Sequence, residues 1–357
     1  MTGAGTARPG ARATTARDLA EHLGISVSTV GRALSDDPRI SAPTRARVQA
    51  LAAELGYVAN RSARMMRGAP STVVGLIVPD VRNSFFTSVA HALGHLLGTR
   101  RHQLVLCETA DDRRTELQHV RDLVAAQVAG VVLVPSSAPD PETVRLLGTV
   151  PHVQLMRRVP ELAPHWFGVD DHDLVRQATD HLLAAGHTRI GYVGGTAEVP
   201  TGAARRDGYR DALRDAGVAA LPEHERVGPP SSTEQGGPTF GAAALRDLLS
   251  LPDRPTAVVT GSTQITRGVL AAATALRLAV PHDLSLVGFG DEPGFGWWGA
   301  GLTTVTLPVT DLATGCGAWL LGLLADPDLA ADPHASVTRG ALTLRGSVGR
   351  PSTVSWR

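Results

Sequence analysis

The chain has 357 residues and a formal net charge of zero, but its charge is unevenly distributed. Residues 1–70 contain ten arginines and five acidic residues, a net charge of +5, so the rest of the chain carries −5. A basic N-terminal segment of this kind indicates a polyanionic partner. The length exceeds one ordinary hydrophobic core and predicts two or three domains.

The composition also excludes several classes of protein. Cys107 and Cys316 stand in apolar stretches without metal-site spacing, which is typical of reduced core thiols and not of a disulfide framework. The sequence has neither a signal peptide nor an apolar run of about 18 residues that would cross a membrane. We therefore expect a cytoplasmic protein that does not associate with a membrane.

The first ordered elements follow residues 1–13, which lack hydrophobic periodicity and are predicted to form a disordered arm. In "ARDLAEHLG", Leu19, Ala20 and Leu23 form one apolar stripe and predict a helix. After a turn, Ser26 can cap a second helix, "VSTVGRAL", through its hydroxyl group.

The second helix carries a polar arc, because a helical wheel places Ser28, Thr29 and Arg32 close together. A third helix begins after Ser41, with a proline in its first turn, and ends at "LGY". Residues 14–59 are thus predicted to form a three-helix bundle. Such a bundle fits a helix-turn-helix that binds DNA, or an ordinary helical hairpin; the basic charge favours the first.

Residues 60–70 are predicted to form a hinge helix and linker. The stretch "NRSARMMRG" is compatible with a helix, but isolated helices shorter than about 12 residues are marginal in water. We therefore expect this segment to become ordered only when something binds it.

From residue 71 to residue 350 the pattern is that of an α/β protein. Apolar runs such as "TVVGLIV", "GVVLVP", "RIGYVG" and "LSLVGFG" alternate with helical segments, which predicts parallel sheets covered on both faces. The number of strands favours two α/β lobes with a cleft between them at the strand ends. The stretch "GPPSSTEQGGP" near residue 230 is predicted to be a surface loop. The predicted fold is thus a small all-α helix-turn-helix head and an α/β body of two lobes with parallel sheets.

No catalytic or metal site is predicted. "GYVGGT" lacks the G-x-G-x-x-G spacing of a dinucleotide site. His91 and His95 are four residues apart on a predicted helix, but without an intervening Glu or a third ligand nearby. No nucleophile elbow or paired-carboxylate motif is present. We expect a protein that is not an enzyme and needs no cofactor.

The chain from Thr15 to Ser347 resembles the lactose-repressor (LacI/GalR) family of bacterial transcription regulators. The resemblance rests on "TARDLAEHLGISVSTVGRALSDDPRISAPTRARVQALAAELGYVANRSARMMRG" and continues through "GLIVPDVRNSFF", "HLLAAGHTRIGYVGG", "RRDGYRDAL", "VPHDLSLVGFGD" and "LTLRGS". These motifs fall in the order and spacing of the family. The resemblance implies a periplasmic-binding-protein-like body.

The resemblance also implies roles in DNA binding. Val27, Ser28 and Arg32 occupy the base-reading positions: Arg32 can fork onto guanine, and Val27 can pack on a thymine methyl group. Met66 stands where a hinge residue wedges into the minor groove, and this role is favoured over the alternative that it packs against the body. The positions that match phosphate contacts are Ser26, Thr29, Arg39, Ser41, Thr44 and Asn60. Gly31 and Ser35 depart from the usual Ser and Asn.

In the body, the resemblance implies a small-molecule effector in the cleft. Arg205 matches the position of a cleft arginine, and a guanidinium suits a hydroxyl pair or a carboxylate. The further positions that match effector contacts are Phe85, Phe86, Asp170, Asp171, Ser262 and Asp291.

Departures from the family pattern concern the same cleft. Ser262 and Thr263 replace the usual Asn-Asp, and Gly290 replaces the first residue of an Asp pair. Losing these polar groups argues against an ordinary monosaccharide. A less polar, aromatic-lined or larger ligand, with Trp297 and Trp298 nearby, would fit, or no ligand at all.

The function that the resemblance implies is a homodimeric repressor. Each protomer would place its recognition helix in one half of a pseudo-palindromic operator on double-stranded DNA, and a sugar-like or less polar effector would change the relative orientation of the lobes. There are two alternatives. A secreted or periplasmic sugar-binding protein would share the body fold, but the missing signal peptide and the basic head count against it. A sugar-processing enzyme would need a catalytic constellation, which the sequence does not contain.

Overall fold

The structure is a computed structural model that describes residues 14–57 and 71–351, apart from residues 163, 231 and 234. The predicted arm (residues 1–13) and the predicted hinge helix (residues 60–70) lie outside the described residues. The chain divides into two compact units, Met1–Ser71 and Thr72–Arg357, which we call the head and the body.

The described part of the head contains three helices: α1 Ala16–Leu23, α2 Val27–Leu34 and α3 Ala42–Glu54. A hydroxyl side chain caps the start of each, since Thr15, Ser26 and Ser41 accept hydrogen bonds from backbone N–H groups of the first turn. Gly24 ends α1 with a φ of 65°, a left-handed conformation that turns the chain into α2. The three helices share a small core that includes Leu19, Ala20, Val30, Ala33, Val48 and Ala52.

The body alternates strands and helices. The strands are β1 Val73–Val78, β2 Gln103–Glu108, β3 Gly130–Leu133, β4 His152–Leu155, β5 Trp166–Val169, β6 Ile190–Gly194, β7 Glu225–Val227, β8 Ala257–Thr260, β9 Ser285–Phe289, β10 Thr303–Thr306, β11 Ala335–Thr338 and β12 Ala341–Thr343. The helices are α4 Ser84–Thr99, α5 Arg113–Ala125, α6 Pro141–Leu147, α7 Asp171–Ala184, α8 Pro200–Asp215, α9 Gly237–Leu249, α10 Thr263–Ala275, α11 Pro293–Trp297 and α12 Val309–Ala325.

The strands form two six-stranded sheets, one for each lobe. Lobe 1 has the order β11-β5-β4-β3-β1-β2 and lobe 2 the order β12-β10-β9-β8-β6-β7. Neighbouring strands are parallel, except that β12 pairs antiparallel with β10. The central strands are buried along their length, which explains their continuous runs of valine, isoleucine and leucine. The predicted two-lobed α/β body with parallel sheets is confirmed.

Sequence reasoning missed five short elements. Strands β5, β7 and β11 have three or four residues each, and helices α6 and α11 have seven and five. Segments this short show too little periodicity to be recognised, and their place in the fold depends on pairing with distant strands. No helix among the described residues is both long enough and apolar enough to cross a membrane.

Candidate functional site

Helix α2 divides its residues between a buried face and an exposed face. Val30 and Ala33 are fully buried in the core of the head. Val27, at the first position of the helix, is 46% exposed, and Ser28 and Arg32 are also exposed. Within the described residues, the Arg32 guanidinium makes no hydrogen bond or ion pair. The three predicted base-reading side chains are therefore all exposed on α2.

The residues predicted to contact phosphate lie mainly at helix starts. The Ser26 hydroxyl accepts from the Thr29 N–H at 3.1 Å, and the Ser26 and Thr29 hydroxyls are 2.8 Å apart. The hydroxyls of Ser41 and Thr44 lie 2.9 Å apart at the start of α3. Helix N-termini attract anions because their N–H groups point outward, so both pairs stand where a phosphate group is favoured.

Arg39, also predicted to contact phosphate, already has a partner. Its guanidinium donates three hydrogen bonds to the Asp37 carboxylate, at 2.9, 3.2 and 2.7 Å, and these bonds are the main reason that the pKa of Asp37 is lowered to about 2. The Arg39 side chain remains 74% exposed, so a phosphate would have to share it with Asp37. Asn60 and Met66 lie outside the described residues.

The two positions of the head that depart from the family pattern are adjacent in space. The Ser35 hydroxyl donates to the carbonyl oxygens of Gly31, at 2.8 Å, and Arg32, at 3.2 Å, at the end of α2. This hydroxyl is thereby used within the helix end. Nothing in the structure explains the glycine at position 31.

Between the lobes lies a cavity of about 100 Å³, which we call the cleft cavity. Phe85, Phe86, Arg205 and Ser262 line it, as predicted. Sequence reasoning missed most of the other lining residues, which are Pro79, Asp80, Asn83, Asp111, Val134, Met156, Arg157, Thr201, Ser232, Thr263, Gln264, Phe289 and Leu307.

Arg205 is held firmly by its neighbours. Its Nε donates to Asp171 Oδ1 at 2.7 Å, its Nη1 donates to the Gly261 carbonyl at 2.7 Å, and its guanidinium lies 4.0 Å above the Phe289 ring. Burial raises the pKa of Asp171, and Arg205 opposes that rise. Gly208 permits this arrangement, since a Cβ there would collide with the His172 carbonyl oxygen where α8 crosses α7. Two of the Arg205 donors are thus already engaged within the protein and are less available to a ligand.

Ser232 of lobe 2 forms a hydrogen bond to an ion pair of lobe 1 and so connects the two lobes. Arg157 pairs with Asp111, and both side chains are 12% exposed. From lobe 2, the Ser232 hydroxyl donates to Asp111 Oδ2 at 2.6 Å. Ser232 is only 8% exposed, so the prediction of a surface loop near residue 230 is wrong at this position. The serine turns inward because a buried carboxylate offers a strong acceptor.

Two more hydrogen bonds cross the cleft. Arg82 Nη2 donates to the Ser232 carbonyl at 3.1 Å, and the Ser84 hydroxyl donates to Glu292 Oε1 at 2.5 Å. Arg82 also pairs with Asp80 at 2.9 Å. The lobes are therefore in polar contact through their own side chains.

Several residues predicted to bind the effector do not line the cleft cavity. Asp170 is exposed and caps α7, accepting from the Asp173 N–H at 2.9 Å. Asp171 does not line the cleft cavity but accepts a hydrogen bond from Arg205, which does line it. Asp291 pairs with Arg345 at 2.7 and 2.9 Å, which lowers the pKa of Asp291, and it lines an adjoining cavity of about 90 Å³.

Neither tryptophan near residue 297 approaches the cleft cavity. Trp297 is 82% exposed, and the Trp298 indole donates to the Thr274 hydroxyl at 3.1 Å. Gly290 has a φ of 81°, and a Cβ at this position would collide with Thr263 Oγ1. The glycine and the threonine that replace family residues are therefore sterically matched to each other.

The comparisons with known proteins agree with this architecture. A profile of bacterial regulatory proteins of the lacI family matches residues 15–60, and a profile of the periplasmic binding protein-like domain matches residues 179–348. The transcriptional regulator GalS of Salmonella typhimurium is 31% identical over 301 residues, which cover 84% of this chain and 86% of GalS. GalR of Escherichia coli K12 is 29% identical and covers 95% of this chain and 96% of its own.

Solved structures give the same result. A LacI family transcriptional regulator from Mycobacterium smegmatis is 29% identical, with a TM-score of 0.67 over 78% of this chain and 100% of its own. The lac repressor dimer bound to operator is 22% identical, with a TM-score of 0.80 over 95% of this chain and 100% of its own, and shares the fold. Head and body together define a bacterial transcription regulator with a helix-turn-helix. The chain belongs to the lacI family of bacterial regulatory proteins.

Proposed function

We propose that this family member is a homodimeric repressor of transcription that acts in the cytoplasm. The helix-turn-helix domain within the head, residues 14–59, would bind one half of a pseudo-palindromic operator. Residues 60–70 would form the hinge, with Met66 as a minor-groove wedge and Asn60 at a phosphate. The two-lobed effector-binding and dimerisation domain, residues 71–350, would bind an effector and hold the dimer together.

One observation carries the proposal of base reading. Val27, Ser28 and Arg32 stand exposed on α2, and within the described residues the Arg32 guanidinium makes no hydrogen bond or ion pair. An apolar contact to a thymine methyl group and a bidentate contact to guanine are the interactions that these side chains offer. Ser26, Thr29, Arg39, Ser41 and Thr44 would fix the register of the head on the phosphate backbone.

Exposed apolar residues on the body support the homodimer. Strand β2 lies at one edge of its sheet, and its Val105 and Leu106 are each 42% exposed. Trp297 of lobe 2 is 82% exposed. Exposed edge strands and exposed tryptophans are typical of protein contacts. A dimer would present two α2 helices to half-sites about one helical turn, or a multiple of it, apart.

The cleft cavity supports a neutral effector. Its charged side chains are already paired within the protein: Asp80 with Arg82, Asp111 with Arg157, and Arg205 with Asp171. A charged ligand would have to break one of these pairs. A neutral ligand could instead displace Ser232 from Asp111 and so alter the contact between the lobes. In thermal-shift screening we expect ligands other than plain hexoses to stabilise the protein, and a large shift with a plain hexose would contradict this proposal.

The proposal of DNA binding is tested by selecting bound duplexes from a random-sequence library with the full-length protein. We expect an inverted repeat of two half-sites to be enriched. Enrichment of no sequence, or of one asymmetric site, would contradict a homodimer that reads an operator.

A further inference from the structure

A larger cavity, of about 460 Å³, lies in lobe 1 away from the cleft. It lies at the N-terminal ends of β4 and β5. The cleft cavity lies at the C-terminal side of these strands, near Met156. Its walls are mostly apolar and include Leu147, Val150, Pro151, Leu162, Leu323 and Leu324. The volume is within the range of about 300–1,000 Å³ that is usual for small-molecule sites.

One wall of this cavity carries a buried histidine with a ring nitrogen that makes no hydrogen bond to the described part of the chain. His165 lines the cavity and is 3% exposed, and its Nδ1 has no hydrogen-bond partner among the described residues. The Trp319 ring lies 5.7 Å from the His165 ring, and its buried indole N–H likewise has no partner in the part of the chain that the structure describes. Buried polar atoms are nearly always hydrogen-bonded, because leaving one unpaired is costly.

The neighbouring histidine shows the contrast. His152 lines the same cavity, but its Nδ1 is 3.0 Å from the Val150 carbonyl oxygen. Burial, and then the nearby His334, lowers the pKa of His165, so its imidazole is neutral at neutral pH. Among the described residues that line the cavity, Glu161 alone has a formal charge, and it is exposed. The cavity thus combines apolar walls with a neutral imidazole.

We propose that this cavity is a second ligand site, separate from the cleft cavity. It would take a neutral, mainly apolar molecule of about one aromatic ring that carries a single hydroxyl group. The ring would pack on the leucines, and the hydroxyl would hydrogen-bond to the His165 imidazole. A hydroxyl can donate and accept, so either tautomer of His165 would bind it.

The proposal is tested with p-cresol and p-xylene, which have nearly the same shape and differ in one hydroxyl. Ligand-observed NMR on the full-length protein should show p-cresol binding with a Kd on the order of 1 mM or below. We expect p-xylene to bind about 3- to 10-fold more weakly, since it makes no hydrogen bond. His165→Phe should bring the two affinities together by weakening p-cresol alone.

Filling the cavity should abolish binding. Leu324→Trp places a large ring inside it, and Ala330→Trp, at an exposed position of the rim, covers its mouth without disturbing the core. Leu344→Trp, at an exposed site that does not line the cavity, is the matched control and should bind p-cresol like the native chain. The proposal would be overturned if the native protein bound p-cresol to saturation and neither the rim nor the interior substitution changed that binding. It would also be overturned if the native protein bound no p-cresol at about 10 mM.

Discussion

Arg32 of the head and Arg205 of the body are the same residue type in opposite circumstances. Arg32 is exposed on α2 and makes no ion pair within the described residues, whereas Arg205 is 12% exposed and is bound by Asp171 and the Gly261 carbonyl. A surface that reads an external polyanion leaves its donors unused until the partner arrives. In the cleft, the charged side chains are paired with one another, so a ligand would be recognised by its shape and by hydroxyl and amide groups.

The largest effect is expected from removing the paired arginine. Arg205→Ala leaves the Asp171 carboxylate buried without its partner, and breaking a buried pair in this way costs about 3–5 kcal/mol. Denaturant unfolding of the full-length protein measures the loss. Arg214→Ala on the same helix is the control, because that side chain is 68% exposed and its ion pairs should contribute little. Equal losses in the free energy of unfolding from the two substitutions would show that the buried Arg205–Asp171 pair contributes no more to stability than an exposed pair.

Removing the unpaired arginine should affect DNA binding without affecting folding. Arg32→Ala should weaken binding to the selected operator by about 1–3 kcal/mol, or roughly 5- to 150-fold, and relax the preference at one base pair. Fluorescence anisotropy with operator variants measures both. Arg47→Ala, an exposed arginine on α3, removes the same charge and should preserve the base preference. Uniform weakening across all sequences by Arg32→Ala would mean that Arg32 contacts only phosphate.

Two valines of α2 sharpen the contrast between the two faces of the helix. Val30 is fully buried and Val27 is 46% exposed. Val30→Ala should destabilise the head by about 1–3 kcal/mol through lost burial and the cavity left behind. Val27→Ala should leave stability nearly unchanged and weaken discrimination at one base pair of the operator. Thermal unfolding and operator binding of both variants test this, and a destabilised Val27→Ala protein would contradict the proposed role.

The smallest effect concerns pH and the body. His187 bridges Thr256 at 2.8 Å and the Gly349 carbonyl at 2.9 Å, and burial lowers the pKa of this histidine. The unfolded chain, with a histidine pKa of about 6.5, then binds more protons than the folded one. The stability contributed by His187 is therefore present above pH 6.5 and is lost as the pH falls below it.

His187→Gln tests this assignment. The variant should be less stable than the native protein at pH 7.5, and the difference should shrink by pH 5.5. A constant difference in the free energy of unfolding across this range would exclude titration of His187 as the cause.

The head was predictable from the sequence because its candidate site lies on one short helix. The capping residue Ser26, the buried Val30 and the exposed Arg32 follow from spacing along eight residues. The pairing of Arg39 with Asp37, only two residues away, was missed, because a charged loop allows several arrangements that periodicity does not distinguish.

The cleft was predictable only in part because distant segments assemble it. The partner of Asp291 is Arg345, 54 residues later in the chain, and the partner of Asp111 across the cleft is Ser232, 121 residues later. Positions that match a family motif predicted Phe85 and Arg205 at the cavity. These family positions did not show that the charged side chains of the cavity form ion pairs within the protein.

The most direct test of the account is the salt dependence of binding to the selected operator and to a shuffled duplex. We predict that log K falls linearly with log salt between about 50 and 200 mM, with a slope on the order of −5 to −9 for about six to ten phosphate contacts. The operator should be preferred over the shuffled duplex by about 1,000-fold or more. An affinity that does not change with salt, or that is equal for the two duplexes, would contradict a sequence-specific DNA-binding regulator.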